Sequence, residues 1–257
     1  MTSWIQRRLA AIEWTSDSAF RLDGVDFALE DIGAPYEGPA YSMMKPRAYL
    51  EAYAEGLEGL EVRTLIELGI RRGGSTVFLA LLLQPSTLVA IDVSRPVDSL
   101  EAFRTGDPRG ACIATAYRTS QDDAQALGEL LARETDGPLD LVIDDASHFY
   151  EETRSAFEIL FARLRPGGVY AIEDWQWAHE RGIRIWRDRP ALSNLVFQLM
   201  LVCAGRPDLI AGVDVRPGVT FVRRGPPSHR PPGSTSKPCI GPTGANSTCS
   251  ERSLSAD

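Results

Sequence analysis

Three acidic residues stand just past two short apolar runs: Asp145 follows Leu139–Asp144, and Glu173-Asp174 follow Val169–Ile172. If those runs are neighbouring strands of one sheet, their ends gather the carboxylates at one point, where like charges push a proton onto one of them unless a cation neutralises the site. A hard divalent cation with oxygen ligands is the natural partner. Magnesium keeps waters and binds through few carboxylates, which leaves positions for substrate hydroxyls. His148, three residues past Asp145, would stand beside that ion, and histidine is the side chain whose free pKa suits taking a proton near neutrality. The plainer uses of the same residues stay open: acids after strands cap the next helix, and a lone histidine is commonly structural.

The elements that must position these groups start at Val62–Thr76, which reads as a buried strand, a glycine-rich turn and the start of a helix. Leu65, Ile66 and Leu68 give the apolar run of a parallel strand, and Leu79–Leu83 the apolar face of the following helix. Between them Gly69, Gly73 and Gly74 let backbone amides approach a ligand at a helix N-terminus. Nicotinamide and flavin folds want Gly-x-Gly-x-x-Gly, whereas the pattern here is Glu67-x-Gly69-x-x-x-Gly73-Gly74, and Ser75 follows with no lysine for a triphosphate loop. What remains is the acidic-Leu-Gly-x-x-x-Gly turn of S-adenosylmethionine (SAM) methyltransferases, in which an acid faces the ammonium of the methionine moiety. Glu67, Gly69, Gly73 and Ser75 are the expected contacts; another Rossmann-like nucleotide fold or a purely structural turn are the alternatives.

A second strand, Leu88–Asp92, ends in an acid that can accept both ribose hydroxyls of a nucleoside cofactor. Residues 111–116 read as a third strand, with Ser120, Gln121 and Asp122 placed where an adenine would be held, although Ser-x-x-Asp also caps a helix over 122–133. Asp144 closes the fourth strand and is assigned to the cofactor side. The fifth strand, Val169–Ile172, enters through Arg165-Pro-Gly-Gly168. A helix over Pro190–Ala204 precedes Leu209–Val215 and Val219–Arg223, a hairpin that supplies an antiparallel edge. Alternating strands and helices imply an α/β, Rossmann-like, mostly parallel seven-stranded sheet with helices on both faces and a cleft at the carboxyl ends of its strands.

Three regions are expected: an N-terminal extension or lid over 1–45, the main domain over 46–224 and a disordered tail over 225–257. A helix is expected at Ser3–Ile12 in the first and another from Pro46 to about Leu57 at the start of the second, and Tyr41–Lys45 are either lid and substrate contacts or core. The tail is rich in Pro, Gly and Ser with few large apolar residues, so it buries too little surface to offset its ordering entropy. At 257 residues and 44% hydrophobic, the chain suits one domain with a sizeable core. A net charge of −8 argues against a nucleic-acid partner, and no apolar run is long enough to span a membrane. A cytoplasmic location is expected, and a homo-oligomer is compatible with the composition. The four cysteines form no Cys-x-x-Cys pair, which argues against zinc or a disulfide framework.

Taken together, Asp145-Ala-Ser-His148, then Glu173-Asp174, behind Glu67-Leu-Gly-x-x-x-Gly-Gly-Ser, resemble the metal-dependent SAM O-methyltransferases that modify the sugars of macrolide antibiotics. Similar too are the rhamnosyl O-methyltransferases and the cephalosporin hydroxylase-like proteins. The resemblance covers roughly residues 40–223. It implies a class I SAM-dependent methyltransferase fold, magnesium on Asp145, Glu173 and Asp174, His148 as general base, and a small glycosylated acceptor from antibiotic biosynthesis. Trp175, Trp177 and Tyr41 are candidates to stack on that acceptor. An NAD-type oxidoreductase and a noncatalytic SAM-binding partner subunit are the competing readings.

Overall fold

Residues 4–30, 38, 41–180 and 185–226 are described by a computed structural model, in which a small sheet is set against a large one. The expected tail, apart from Gly225 and Pro226, and most of the loop 33–39 lie outside the described residues.

The N-terminal region is more structured than its mixed composition suggests. Helix α1 (Trp4–Ala10) is followed by strands β1 (Glu13–Trp14), β2 (Ala19–Leu22), β3 (Val25–Leu29) and β4 (Tyr41–Met43), which pair in that order, antiparallel except for β3 with β4. Helix α2 (Arg47–Gly56) starts one residue after Pro46, whose ring suits a helix entrance.

The large sheet begins with β5 (Thr64–Leu68), then helix α3 (Gly74–Leu83), β6 (Thr87–Asp92), helix α4 (Asp98–Gly106), β7 (Ile113–Tyr117), helix α5 (Ala124–Glu134), β8 (Leu139–Asp144), helix α6 (Tyr150–Phe161) and β9 (Leu164–Glu173). Helix α7 (Ser193–Gly205) leads to the hairpin of β10 (Ile210–Val215) and β11 (Val219–Arg224). The strand order is β10-β11-β9-β8-β5-β6-β7, parallel except for the pairings of β11. This is the expected seven-stranded sheet. Strand β7 starts later than residue 111 because Pro108–Cys112 close a 3-10 turn capped by the Asp107 carboxylate. Helix α5 starts at Ala124 because Asp123, not Ser120, accepts from the Ala126 amide.

All ten residues of α3 are buried. A helix apolar on every side needs cover on its outer face as well as from the sheet. The N-terminal strands provide it: Phe20 and Phe27 meet the Phe78 ring edge-on at 5.7 and 5.8 Å. At the carboxyl end of the helix, Arg8 donates to the Leu81 and Leu82 carbonyls at 2.7 and 3.3 Å, where a cation also suits the helix dipole. The extension therefore packs mainly behind α3. Among its described residues, the last ones, Ser42–Lys45, border the cleft at the strand ends. That cleft opens beside the junction of β5 and β8, where the strand order reverses.

The opposite ends of the central strands are tied by Asp140. Its carboxylate accepts from the Arg63 and Thr64 amides at 2.8 and 2.9 Å and from the Arg165 guanidinium, although the residue is only 7% exposed. Asp140→Ala leaves these donors without their acceptor and should lower the unfolding free energy in urea by about 3 kcal/mol. A loss below about 1 kcal/mol, the level of an ordinary surface change, would mean that Asp140 does not tie β5 to the β9 entrance.

Candidate active site

Strand parity decides where the acids point. In β5, Leu65 and Glu67 face the side packed by α3, and Ile66 and Leu68 the side packed by α5 and α6. Glu67 is fully buried and accepts from Thr76 at 2.6 Å, with its Oε1 lacking a hydrogen-bond partner among the described residues. Burial pushes it up to about 7 against the hydroxyls of Ser75 and Thr76. Asp144 takes the other side, buried against the Tyr170 hydroxyl at 2.7 Å and the Gln121 amide at 3.2 Å, and burial likewise pushes it up to about 7.

The turn after β5 needs glycine where two backbones cross. At Gly69, with φ +97°, a Cβ would lie 2.1 Å from the Asp145 carbonyl oxygen; at Gly74 it would lie 2.0 Å from that of Ser42. Gly73 stands between them as the N-cap of α3. Asp92 holds the outside of this turn: its carboxylate accepts from the Ile70, Arg71 and Ser94 amides at 2.7, 3.0 and 2.7 Å. Burial would raise its pKa, but those amides hold it below the usual carboxylate range.

Of the expected residues, Gly69, Ser75, Asp92, Gln121, Asp145, His148 and Asp174 line one cleft of about 420 Å³. Glu67, Gly73, Asp144 and Glu173 stand behind its wall. Asp122 is exposed, accepting from the neighbouring Ser120 hydroxyl. Tyr41 packs on Phe27 and Phe103 and donates to the Ser99 carbonyl, and Trp175 donates to the Arg216 carbonyl, so of the three expected aromatics Trp177 is the one that lines the cleft.

The three acids do gather, but with a different division of partners. Asp145, His148 and Asp174 offer ligand atoms all within 4.8 Å of one another. The His148 Nε2 lies 3.8 Å from Asp145 and 3.9 Å from Asp174. Glu173 is held elsewhere, because the buried Lys45 ammonium donates to its two oxygens at 2.7 and 2.6 Å and to Asp145 at 2.7 Å, while the Tyr53 hydroxyl donates at 2.5 Å. Tyr49 does the same for Asp174 at 2.5 Å. Lys45, Tyr49 and Tyr53 were not assigned these roles from sequence. The spacing of four places the Tyr49 and Tyr53 hydroxyls on one face of α2, with Lys45 four residues earlier at its entrance.

Burial alone would lower the Lys45 pKa, but Asp145 and Glu173 more than reverse this and keep it charged. Burial and Asp145 push Glu173 above the usual range, and burial pushes Asp174 up to about 7. Burial lowers the His148 pKa below its ordinary value, which leaves the ring neutral. Its Nε2 is the ring nitrogen that faces the Asp145 and Asp174 carboxylates. Trp177 packs on the imidazole at 4.6 Å, and Trp186 donates to the His148 carbonyl at 3.1 Å. Arg71, His148 and Asp174 hold left-handed backbone, with φ of +47°, +56° and +54°. Such conformations persist where surrounding contacts over-determine them.

Comparison with known proteins adds a family and relatives. Residues 66–175 match the family described as a methyltransferase domain. The demethylmacrocin O-methyltransferase of Streptomyces fradiae is 50% identical over 62 residues, which are 24% of this chain and 15% of that protein. The 8-demethyl-8-alpha-L-rhamnosyl tetracenomycin-C 2'-O-methyltransferase of Streptomyces olivaceus is 37% identical over 83 residues, 32% of this chain and 20% of that protein. A crystal form of the MycE methyltransferase from mycinamycin biosynthesis, solved with Mg and SAH, superposes with a TM-score of 0.54 at 26% identity, covering 69% of this chain and 49% of that one. The chain thus spans about half the length of that structure, and the matched segments 15 to 20% of those two curated relatives. The fold is that of class I SAM-dependent methyltransferases, and the resemblance to macrolide-sugar and rhamnosyl O-methyltransferases read from the motifs is found in these relatives.

Because the Asp145 carbonyl passes so close to Gly69, Gly69→Ala must push the two strand-end loops apart. It should cost about 2 kcal/mol or more in chemical unfolding. A variant as stable as the parent would show that the two loops do not cross as closely as described.

Proposed function

We propose that this chain transfers the methyl group of SAM to a sugar hydroxyl of a small glycosylated natural product in a magnesium-dependent reaction, with His148 as general base. The observation that carries this reading is the convergence of Asp145, His148 and Asp174 on the wall of the same cleft that the glycine turn and Asp92 line. Relatives that methylate macrolide or tetracenomycin substrates support it, as does the Mg and SAH complex of MycE. No described helix is long and apolar enough to cross a membrane, which agrees with work on a small molecule in the cytoplasm.

The residues fit both groups. Gly69 and Ser75 at the amide-lined turn line the cleft and suit the polar end of a methionine moiety, and directly behind Ser75 lies the Glu67 carboxyl, one oxygen of which has no hydrogen-bond partner among the described residues. For the metal, three acids stand against one lysine, an excess of carboxyl groups that a divalent cation would suit; Asp145 and Asp174 would hold it. When bound, SAM supplies an electrophilic methyl on a sulfonium. When bound, magnesium supplies positive charge that acidifies a nearby hydroxyl.

The rest is done by side chains of this chain. Asp92 accepts from ribose hydroxyls while its amide bonds fix the turn, and Gln121 closes the same wall by joining Asp144 to the Ser147 amide at 2.9 Å. His148 takes the acceptor proton at Nε2, its ring packed against Trp177. Trp177 offers an apolar face to the sugar. Positioning of hydroxyl and methyl supplies much of the rate.

With purified chain, SAM and magnesium, a panel of glycosylated polyketides should yield products heavier by one methylene in mass spectrometry. No product from any glycosylated acceptor would remove the reading. EDTA should abolish turnover and magnesium restore it; full activity after exhaustive chelation would contradict the metal. His148→Ala should lower kcat by about 10²- to 10⁴-fold with SAM affinity unchanged. If instead its binding of divalent cations fell in proportion, His148 would be a ligand and not the base.

A further inference from the structure

The Lys45 ammonium is 3% exposed and sits between two of the acids the metal reading depends on. Both oxygens of Glu173 accept from it, and Oε1 also accepts from Tyr53. Asp145 is shared: Oδ2 accepts from Lys45 at 2.7 Å, while Oδ1 is the oxygen nearest His148. The Asp145–His148–Asp174 group is therefore built against a fixed internal cation held by one of its own carboxylates. An ammonium buried to 3% exposure and a divalent ion drawing on one half-buried carboxylate repel each other, because little water reaches the lysine to screen it.

We propose that Lys45 competes with the divalent cation for the Asp145 and Glu173 carboxylates, weakening the cation's hold and keeping Glu173 out of its shell. This rests on the magnesium reading above and deepens it. Lys45 is a positioning residue: it decides which acids are left for the ion. The expected three-carboxylate shell becomes a shell of two carboxylates beside a lysine–glutamate pair. A weaker, exchangeable ion follows.

Manganese titration of the full chain, followed by electron paramagnetic resonance, tests this without turnover. Lys45→Met keeps the length of the stem and removes the charge, so manganese should bind about tenfold more tightly or better. The double variant Lys45→Met/Glu173→Gln replaces a neutral ion pair by a neutral pair, strands no buried charge, and should bind within about threefold of the parent. Unchanged or weaker binding by Lys45→Met overturns the proposal. So does a loss beyond about tenfold in the double variant, which would make Glu173 a ligand; this arm stands even where Lys45→Met alone fails to fold. A parent chain that binds no manganese while Lys45→Met does supports the proposal in its strongest form. Binding by neither removes both the proposal and the magnesium reading. Tight parent binding with no methyl transfer to any acceptor would remove the function alone.

Discussion

Three carboxylates at the ends of two adjacent parallel strands cannot all stay ionised in a buried place without compensating charge and hydrogen bonds, and the architecture around them answers that constraint. The answer comes from α2. Lys45, just before this helix, and Tyr49 and Tyr53 within it lie a turn apart, and each delivers a donor to an acid of β8 or β9 across 100 to 128 residues of sequence. The same helix is anchored on the antiparallel hairpin by Tyr53 stacked edge-on against Phe221 at 5.3 Å. The electrostatic demand at the strand ends and the packing of the N-terminal region are thus met by one element.

This coupling explains which parts were legible in the sequence. The strands of the large sheet read directly because both faces are buried, which writes them as apolar runs such as Leu88–Ile91. The glycine turn read directly because its backbone crossing excludes a side chain. By contrast, β1 to β3 are short, half-exposed strands whose apolar residues serve α3, and nothing local announces a target some 50 residues away. The fully apolar Val77–Leu83 was the available signal, since a helix buried on all sides demands cover on both.

Within the site, the residues whose chemistry was legible and those whose placement was legible are different sets. Counting from Leu65 and Leu141 with period two would have sent Glu67 toward α3 and Asp144 toward α5 and α6, behind the cleft and not into it. Asp145 and Asp174 reach the cleft because they lie one residue past the parity-bound positions, where the chain turns. In Asp174 that turn is a left-handed residue closed by its amide donating to the Gly218 carbonyl at 2.7 Å. Asp122 shows the converse, since an acid in the right stretch is solvent-facing once the cap of α5 falls one residue later.

The behaviour of the acids then follows from what each was given. Glu173 receives a full counter-charge and a phenol, so it is satisfied without any further ligand. Asp174 receives only the Tyr49 hydroxyl, and burial leaves its pKa high, at about 7. Asp145 is divided between lysine and histidine and is the most exposed of the three, with a quarter of its side chain accessible. A cation entering from the cleft therefore meets its unfilled demand at Asp145 and Asp174, the two acids that also face His148. Placement of imidazole and carboxylates at one point is not an added feature of the fold; it is what remains after α2 and the lysine before it have satisfied Glu173.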